Sequence, residues 1–384
     1  MTMKAKKTIL FNVSGHGHLL PDRIGGVEKV VLEAVKALKN DYNIVLFGDF
    51  PWTPKGVTVI PFYGRMGGSI KHAVNIVSYL GVGLRKIKTI NSDLIISTHQ
   101  RNQLLSYFYA RSKKVPFISW ELDHDPWVEP MTPIKKLYHY FARKPVLTLS
   151  MSEEQRQRII RSGRPGNTIK VLYQGIDTAY YCPARSKKII GNDYVLYVAK
   201  FLPRKNQLNL LKAFKLMLKQ HPALKLVLVG PKSGGYTGSR TRVTSYYEEC
   251  KAYIVENLKG RVVHYEDITE DALVKLYQQA LVYCMPSTEE GFGMTLLEAM
   301  SCGCACVVNN VAPMTEVIGS AGVLVEATRP SHIAAALRKI IGDSKLRLNL
   351  RQSARKRALK MFSITAFSNS LKKNIDAVLQ RTVV

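Results

Sequence analysis

The stretch Pro286-Ser-Thr-Glu-Glu-Gly-Phe-Gly-Met-Thr-Leu-Leu-Glu-Ala-Met-Ser-Cys-Gly303 decides how the chain is read. It follows the apolar run Leu281 to Met285, so it passes from a strand end through a glycine-bearing loop into a helix expected over Met294 to Ser301. Amides at the start of a helix have no intrahelical partner, and Gly291 and Gly293 put no Cβ in the way, so the turn suits a phosphate. Glu298 lies one turn into the helix, where its carboxylate can accept hydrogen bonds from two vicinal hydroxyls. Glu290 stays in the loop, nearer the strand tip. Two acceptors flanking an anion site suit a diphosphate with a sugar on either side.

Around this segment the chain alternates short apolar runs with helical stretches, the signature of parallel sheets. Upstream of it, Tyr194 to Val198, Leu224 to Val229 and Arg261 to His264 read as strands, separated by helices over Gln207 to His221, Tyr246 to Leu258 and Thr269 to Gln279. Downstream come a strand at Ala305 to Val308 and a helix at Ser331 to Ile341. The same grammar occupies the first half: Thr8 to Val13, a loop with Gly and His, a helix from Val27 to Leu38, then strands at Asn43 to Phe47, Leu94 to Ser97, Pro116 to Trp120 and Val146 to Ser150. At 384 residues the chain exceeds one ordinary core and fits two α/β domains. The polar, basic stretch from Pro183 to Asn192 reads as the linker, giving Rossmann-like domains over 1–185 and 186–361. Open sheets of this kind bind ligands at the carboxyl ends of their strands, so two facing domains leave a cleft for one extended ligand.

Pro286 to Gly303 resembles the Glu-x7-Glu motif of the family-four (group 1) retaining glycosyltransferases of the GT-B fold, and supporting pieces extend the resemblance over nearly the whole chain. The resemblance implies that Glu298 holds the ribose hydroxyls of a nucleotide diphosphate sugar and Glu290 the hydroxyls of the transferred sugar. Gly291, Phe292, Gly293, Met294 and Thr295 line the same donor site. Ala199-Lys-Phe-Leu-Pro-Arg-Lys-Asn206 is similar to the family's Gly-Arg-Leu-x-x-x-Lys element, which makes Lys200 and Lys205 the cations that neutralise the leaving diphosphate without a metal or other cofactor. The family's Arg is Lys200 here, so a forked guanidinium grip is replaced by a point charge; the neighbouring Arg204 reads as a surface charge. The loop His16 to Glu28 resembles the family's Gly-Gly loop, whose amides at Gly25 and Gly26 would cap the phosphate; His16 and His18 share it. In Ser119-Trp-Glu-Leu-Asp-His-Asp-Pro126, His124 stands where the family often has a His near the donor sugar, with Asp123 and Asp125 able to fix its tautomer. Tyr173 to Asp177 resembles the family's Asn-Gly-Val-Asp turn, and Val229-Gly230 ends a strand beneath the expected base. The residues from 362 to 384 would form a helix that crosses back onto the first domain. A front-face retaining mechanism, in which the leaving phosphate helps deprotonate the acceptor, is also implied by the family and not by spacing. A phosphorylase-like or epimerase-like GT-B enzyme would share the fold.

The charge is unusual: 56 Lys and Arg against 28 Asp and Glu leave +28, divided equally at +14 on each side of residue 185. Such a field favours anionic partners, whether phosphates, acidic headgroups or nucleic acid. The chain has no recognisable nucleic-acid reading module or aromatic ladder, so nucleic acid is not the expected partner. Ile134-Lys-Lys-Leu-Tyr-His-Tyr-Phe-Ala-Arg-Lys144 places apolar residues at 134, 137, 138 and 141 with cations between, as in helices that lie on anionic membranes, although such a stripe also suits a helix packed on its own sheet. The expected acceptor is accordingly a glycan or lipid-linked molecule of cell-envelope or lipopolysaccharide-type synthesis. With neither a membrane-length apolar run nor a signal-peptide pattern, the protein is expected in the cytoplasm, at most peripheral at the membrane face. Cys302, Cys304 and Cys306 alternate as small apolar strand residues should, not as metal ligands.

Overall fold

The computed structural model describes residues 5–14, 26–48, 55–62, 71–122, 140–141, 143–184, 193–232 and 240–381. The chain forms two compact units, Met1–Gly175 together with Ile364–Val384, and Ile176–Ser363. Each is built on an all-parallel sheet flanked by helices.

In the first unit the sheet order is β3 (Thr58–Pro61), β2 (Asn43–Gly48), β1 (Thr8–Asn12), β4 (Leu94–Ser97), β5 (Phe117–Glu121), β6 (Leu147–Ser150) and β7 (Ile169–Val171). Helices α1 (Gly26–Leu38), α2 (Lys71–Ile87), α3 (Gln100–Lys113) and α4 (Glu153–Arg161) lie between strands. The inner strands are apolar along their length, with Ile9, Leu10, Phe11, Leu46, Phe47, Ile95 and Ile96 fully buried, because helices on both faces of a parallel sheet leave no solvated side. The carboxyl ends of the inner strands are instead polar and buried. Asn102 donates to the carbonyls of Asn12 (2.7 Å) and Ser14 (3.1 Å), while the Asn12 amide reaches Ser106 Oγ at 3.0 Å. Nearby, Glu121 accepts from Arg164 at 3.1 Å and from Gln103 at 2.7 Å, a buried ion pair. These networks fix the backbone where the loops after β1 and β5 depart.

The second sheet runs β10 (Val262–Tyr265), β9 (Lys225–Val229), β8 (Tyr194–Val198), β11 (Val282–Met285), β12 (Cys306–Asn309) and β13 (Val323–Val325). Its helices are α5 (Gln207–Leu218), α6 (Arg240–Asn257), α7 (Glu270–Gln279), α8 (Met294–Ser301), α9 (Met314–Ile318), α10 (Pro330–Gly342) and α11 (Ser344–Phe362). The strand order reverses between β8 and β11, which makes the loops after these two strands the walls of a crevice. After α11 the chain returns to the first unit as α12 (Ile364–Arg381), which packs on α1; the Tyr42 hydroxyl donates to Asp376 at 2.5 Å, and Trp120 stacks on Phe367.

The boundary between the units falls after Gly175 and not at 185. Residues 176–184 carry too many bonds to the second unit to act as a linker. Tyr180 and Tyr181 donate to Asp271 (2.6 Å) and Glu270 (2.7 Å), and the Thr178 and Tyr181 carbonyls accept from Arg355 at 3.0 Å each. The described part of helix α6, Arg240–Asn257, extends upstream of the expected Tyr246. All six cysteines are free; Cys284, Cys302, Cys304 and Cys306 are fully buried, and burial raises all four thiols above the usual range.

Candidate donor-phosphate site

The two loops at the β8/β11 switch point are stitched together by backbone contacts. After β8 a short 3-10 turn, Pro203–Lys205, ends at Asn206, whose left-handed φ of 59° turns the chain into α5. The Asn206 amide donates to the Pro286 carbonyl at 3.1 Å and to Ala327 at 2.8 Å. Thr288 N–H donates to the Arg204 carbonyl at 2.8 Å, and the buried Tyr197 hydroxyl donates to the Lys205 carbonyl at 2.8 Å. Asn309 on β12 donates to the Ser287 carbonyl at 3.0 Å. The loop after β9 is close as well: Gly230 has φ +140°, and a Cβ there would lie 2.3 Å from the Ala199 carbonyl oxygen.

This frame brings Lys205 and Glu290 together. Lys205 Nζ lies 2.5 Å from Glu290 Oε1, with side chains only 13% and 9% exposed, and Ser287 Oγ donates to the same oxygen at 2.8 Å. Burial pulls the Lys205 pKa below the ordinary lysine value, and the Glu290 charge opposes that fall. Lys200 stands exposed at the end of β8, its carbonyl accepting from Gln207 at 2.8 Å. Gly291 is half-buried, while Phe292 and Gly293 are buried. Gly293 takes a left-handed conformation (φ 90°, ψ 50°) at the start of α8, and no side chain caps the helix. The first-turn amides of Met294 and Thr295 are therefore left without a side-chain cap, as donors an anion could use. Thr295 Oγ1 accepts from Tyr283 at 2.9 Å, and Glu298 Oε2 accepts from Tyr277 at 2.8 Å. Both tyrosines are fully buried, so they hold the two side chains in place from beneath.

Of the residues singled out in the sequence, the structure gathers Glu290, Gly291, Phe292, Gly293, Met294, Thr295 and Glu298 along one loop and helix start, with Lys205 reaching Glu290 from the loop after β8 that also carries Lys200. Gly26 is the first described residue of α1, and Gly25, His16, His18 and His124 lie outside the described residues. So does most of Ile134 to Lys144; at its described end Tyr107, Phe108, Tyr140 and Phe141 form an aromatic cluster, and Lys144 Nζ sits 4.4 Å above the Tyr140 ring. Sequence reading missed Tyr197, Ser287, Asn309, Tyr277 and Tyr283. Asn206 carried a signal, since Asn immediately before a helical run favours a helix start.

A family model described as glycosyl transferases group 1 matches residues 184–357, and one described as glycosyltransferase family 4 matches residues 24–180. The chain belongs to the group 1 glycosyltransferases. The chain is 27% identical over 241 residues to the D-inositol 3-phosphate glycosyltransferase of Acidothermus cellulolyticus, covering 59% of this chain and 52% of that one. It is also 27% identical over 256 residues to the O-antigen chain mannosyltransferase B of Escherichia coli, covering 64% and 63%. The chain thus spans about half to three-fifths of the length of these curated relatives. In fold it is similar to Anabaena HepE in complex with UDP-glucose, with a TM-score of 0.74 over 97% of this chain and 100% of that one at 18% identity. The fold is GT-B. No described helix is long and apolar enough to cross a membrane.

Proposed function

We propose that this glycosyltransferase moves a sugar from a nucleotide diphosphate donor to a glycan or lipid-linked acceptor of the cell envelope, with retention of anomeric configuration. The observation that carries the reading is the pairing of Lys205 with Glu290 beside the uncapped start of α8, with Glu298 one turn further along. Lys205, Lys200 and the α8 amides hold the diphosphate, helped by the amides of Gly25 and Gly26. Glu298 accepts from the ribose hydroxyls and Glu290 from the sugar hydroxyls, and His124 donates to the same sugar. When a phosphate replaces Glu290 as the partner of Lys205, the carboxylate is freed to accept from the sugar.

In the reaction the C1–O bond to the β-phosphate breaks and its electron pair leaves with the nucleoside diphosphate. The acceptor oxygen bonds C1 from the same face, and its proton passes to the departing phosphate oxygen. Lysine charge and helix amides stabilise that phosphate, so the site works without a metal. The UDP-glucose complex of Anabaena HepE supports a nucleotide sugar donor, and the O-antigen relative supports an envelope glycan. The basic stripe from Ile134 to Lys144 brings the enzyme to a membrane-linked acceptor.

The test is incubation of the purified protein with UDP-, GDP- and ADP-sugars and acceptor-bearing membranes, with product configuration read by NMR. Acceptor-dependent release of one nucleoside diphosphate and a retained anomer are expected. Acceptor-independent donor hydrolysis or an inverted product would overturn the proposal.

A further inference from the structure

Among the described residues, one face of helix α11 is left exposed. Its buried face carries Leu350, Ala354, Ala358 and Phe362 and packs against α8. The helix holds seven cations and no acid: Lys345, Lys356 and Lys360 are exposed, and Arg347, Arg351, Arg355 and Arg357 are half-buried. The arginines are held by carbonyls. Arg347 reaches Ile340 and Ile341, Arg355 reaches Thr178, Tyr181 and Ser301, and Arg357 reaches Glu316 and Val317 through its carbonyl contacts. Carbonyl partners orient a guanidinium without cancelling its charge. Among the described residues no carboxylate forms an ion pair with any cation of this helix.

The same face lines a shallow groove of about 610 Å³ whose walls include Pro183, Leu348, Arg351, Lys356, Leu359 and Lys360. Leu348 and Leu359 are 54% and 44% exposed. They lie eleven residues apart, close to three turns, so both point along one line about 16 Å long with the cations between them.

We propose that this face of α11 docks on the anionic surface of a lipid bilayer. Uncancelled cations match acidic headgroups, and two exposed leucines bracketing them match the depth at which headgroups give way to acyl chains. Lysine and arginine stems lie along apolar surface while their charged ends stay at the phosphate level. A nucleic acid would use the cations and leave the leucines unexplained. Gly303, just past the end of α8, also lines the groove, whereas the donor-phosphate crevice lies at the other end of that helix, about 12 Å away along its axis. Docking here leaves the donor site open. The surface is separate from the stripe at Ile134 to Lys144 and does not depend on the transfer reading.

Co-sedimentation of the full chain with vesicles of phosphatidylcholine alone, and of the same lipid mixed with phosphatidylglycerol, tests the proposal. The native protein is expected to sediment only with the anionic vesicles. Each surface lysine contributes about fivefold in partitioning, so Lys356→Gln with Lys360→Gln should lower it about 25-fold. Leu348→Ser with Leu359→Ser should lower it too. All four positions are exposed, so the melting temperature should not move, which separates lost docking from lost folding. Equal sedimentation with neutral and anionic vesicles, none with either, or full sedimentation of the double lysine variant would overturn the proposal. Binding of poly-glutamate that is lost in the lysine variant, without vesicle binding, would assign the face to an acidic protein instead.

Discussion

Removing one member of the Lys205–Glu290 pair should cost far more than removing both. The side chains are 13% and 9% exposed and 2.5 Å apart, so each charge depends on the other for compensation. Lys205→Met strands a buried carboxylate and Glu290→Gln strands a buried ammonium, each at about 3–5 kcal/mol of stability. The combined variant buries no charge, and the Gln can still accept from Ser287, so its loss is expected to be below about 2 kcal/mol. Urea unfolding of the four proteins gives the coupling directly. Nucleotide binding should split the same pair of variants differently. Lys205→Met removes a charge-assisted contact to the diphosphate worth about 1.5–3 kcal/mol, so nucleoside diphosphate affinity should drop about 10- to 150-fold. Glu290→Gln releases Lys205 for the phosphate, so affinity should hold while transfer falls. Additive stability losses, or unchanged nucleotide affinity in Lys205→Met, would refute the reasoning.

Three further outcomes follow from the same geometry. Because burial lowers the Lys205 pKa, its charge is lost at a lower pH than that of a free lysine, and transfer should fall on the alkaline side below the ordinary lysine range. Between the folded and unfolded pKa values the unfolded chain binds more protons at this residue, so its contribution to stability rises with pH across the window in which activity falls; a shared decline of both would contradict the assignment. Gly230→Ala should destabilise by at least about 2 kcal/mol, since the added Cβ meets the Ala199 carbonyl and the φ of +140° strains any L side chain; an unchanged melting temperature would show that the loop after β8 can yield. Transfer should survive prolonged EDTA treatment, because lysines and helix amides carry the phosphate charge, and recovery that required added Mg²⁺ would contradict this.

The fold and the phosphate turn were legible because both rest on local pattern. Buried parallel strands read as continuous apolar runs, and α8 begins and ends where Pro286 to Gly303 places it, since Gly293 and Gly303 both need positive φ, at 90° and 72°. The edge strands β3, β7 and β13 were not read; each has only three or four residues, too few for a periodic signal. Contacts between distant residues were equally hidden. Nothing local joins Lys205 to Glu290, and the placement of Tyr277 and Tyr283 beneath Glu298 and Thr295 depends on how α7, α8 and β11 pack. The compact units divide after Gly175, upstream of the polar stretch that begins at Pro183, because bonds from Thr178, Tyr180 and Tyr181 tie these residues to the second unit. Cys302, Cys304 and Cys306 are buried as expected, but only Cys306 lies in a strand; Cys302 caps the end of α8 and Cys304 lies between the two.

The most direct test of the central claim is a melting-temperature screen of UDP-, GDP- and ADP-sugars against the native protein, Glu298→Ala and Glu298→Gln. Both variants weaken the ribose contact, but Gln keeps an acceptor for the buried Tyr277 hydroxyl and so separates lost binding from lost packing. The account predicts that one nucleotide sugar raises the native melting temperature, by mass action on the folded state, and that the rise is lost in Ala and reduced in Gln. No stabilisation by any nucleotide sugar, or an equal rise in all three proteins, would contradict a donor site at the start of α8.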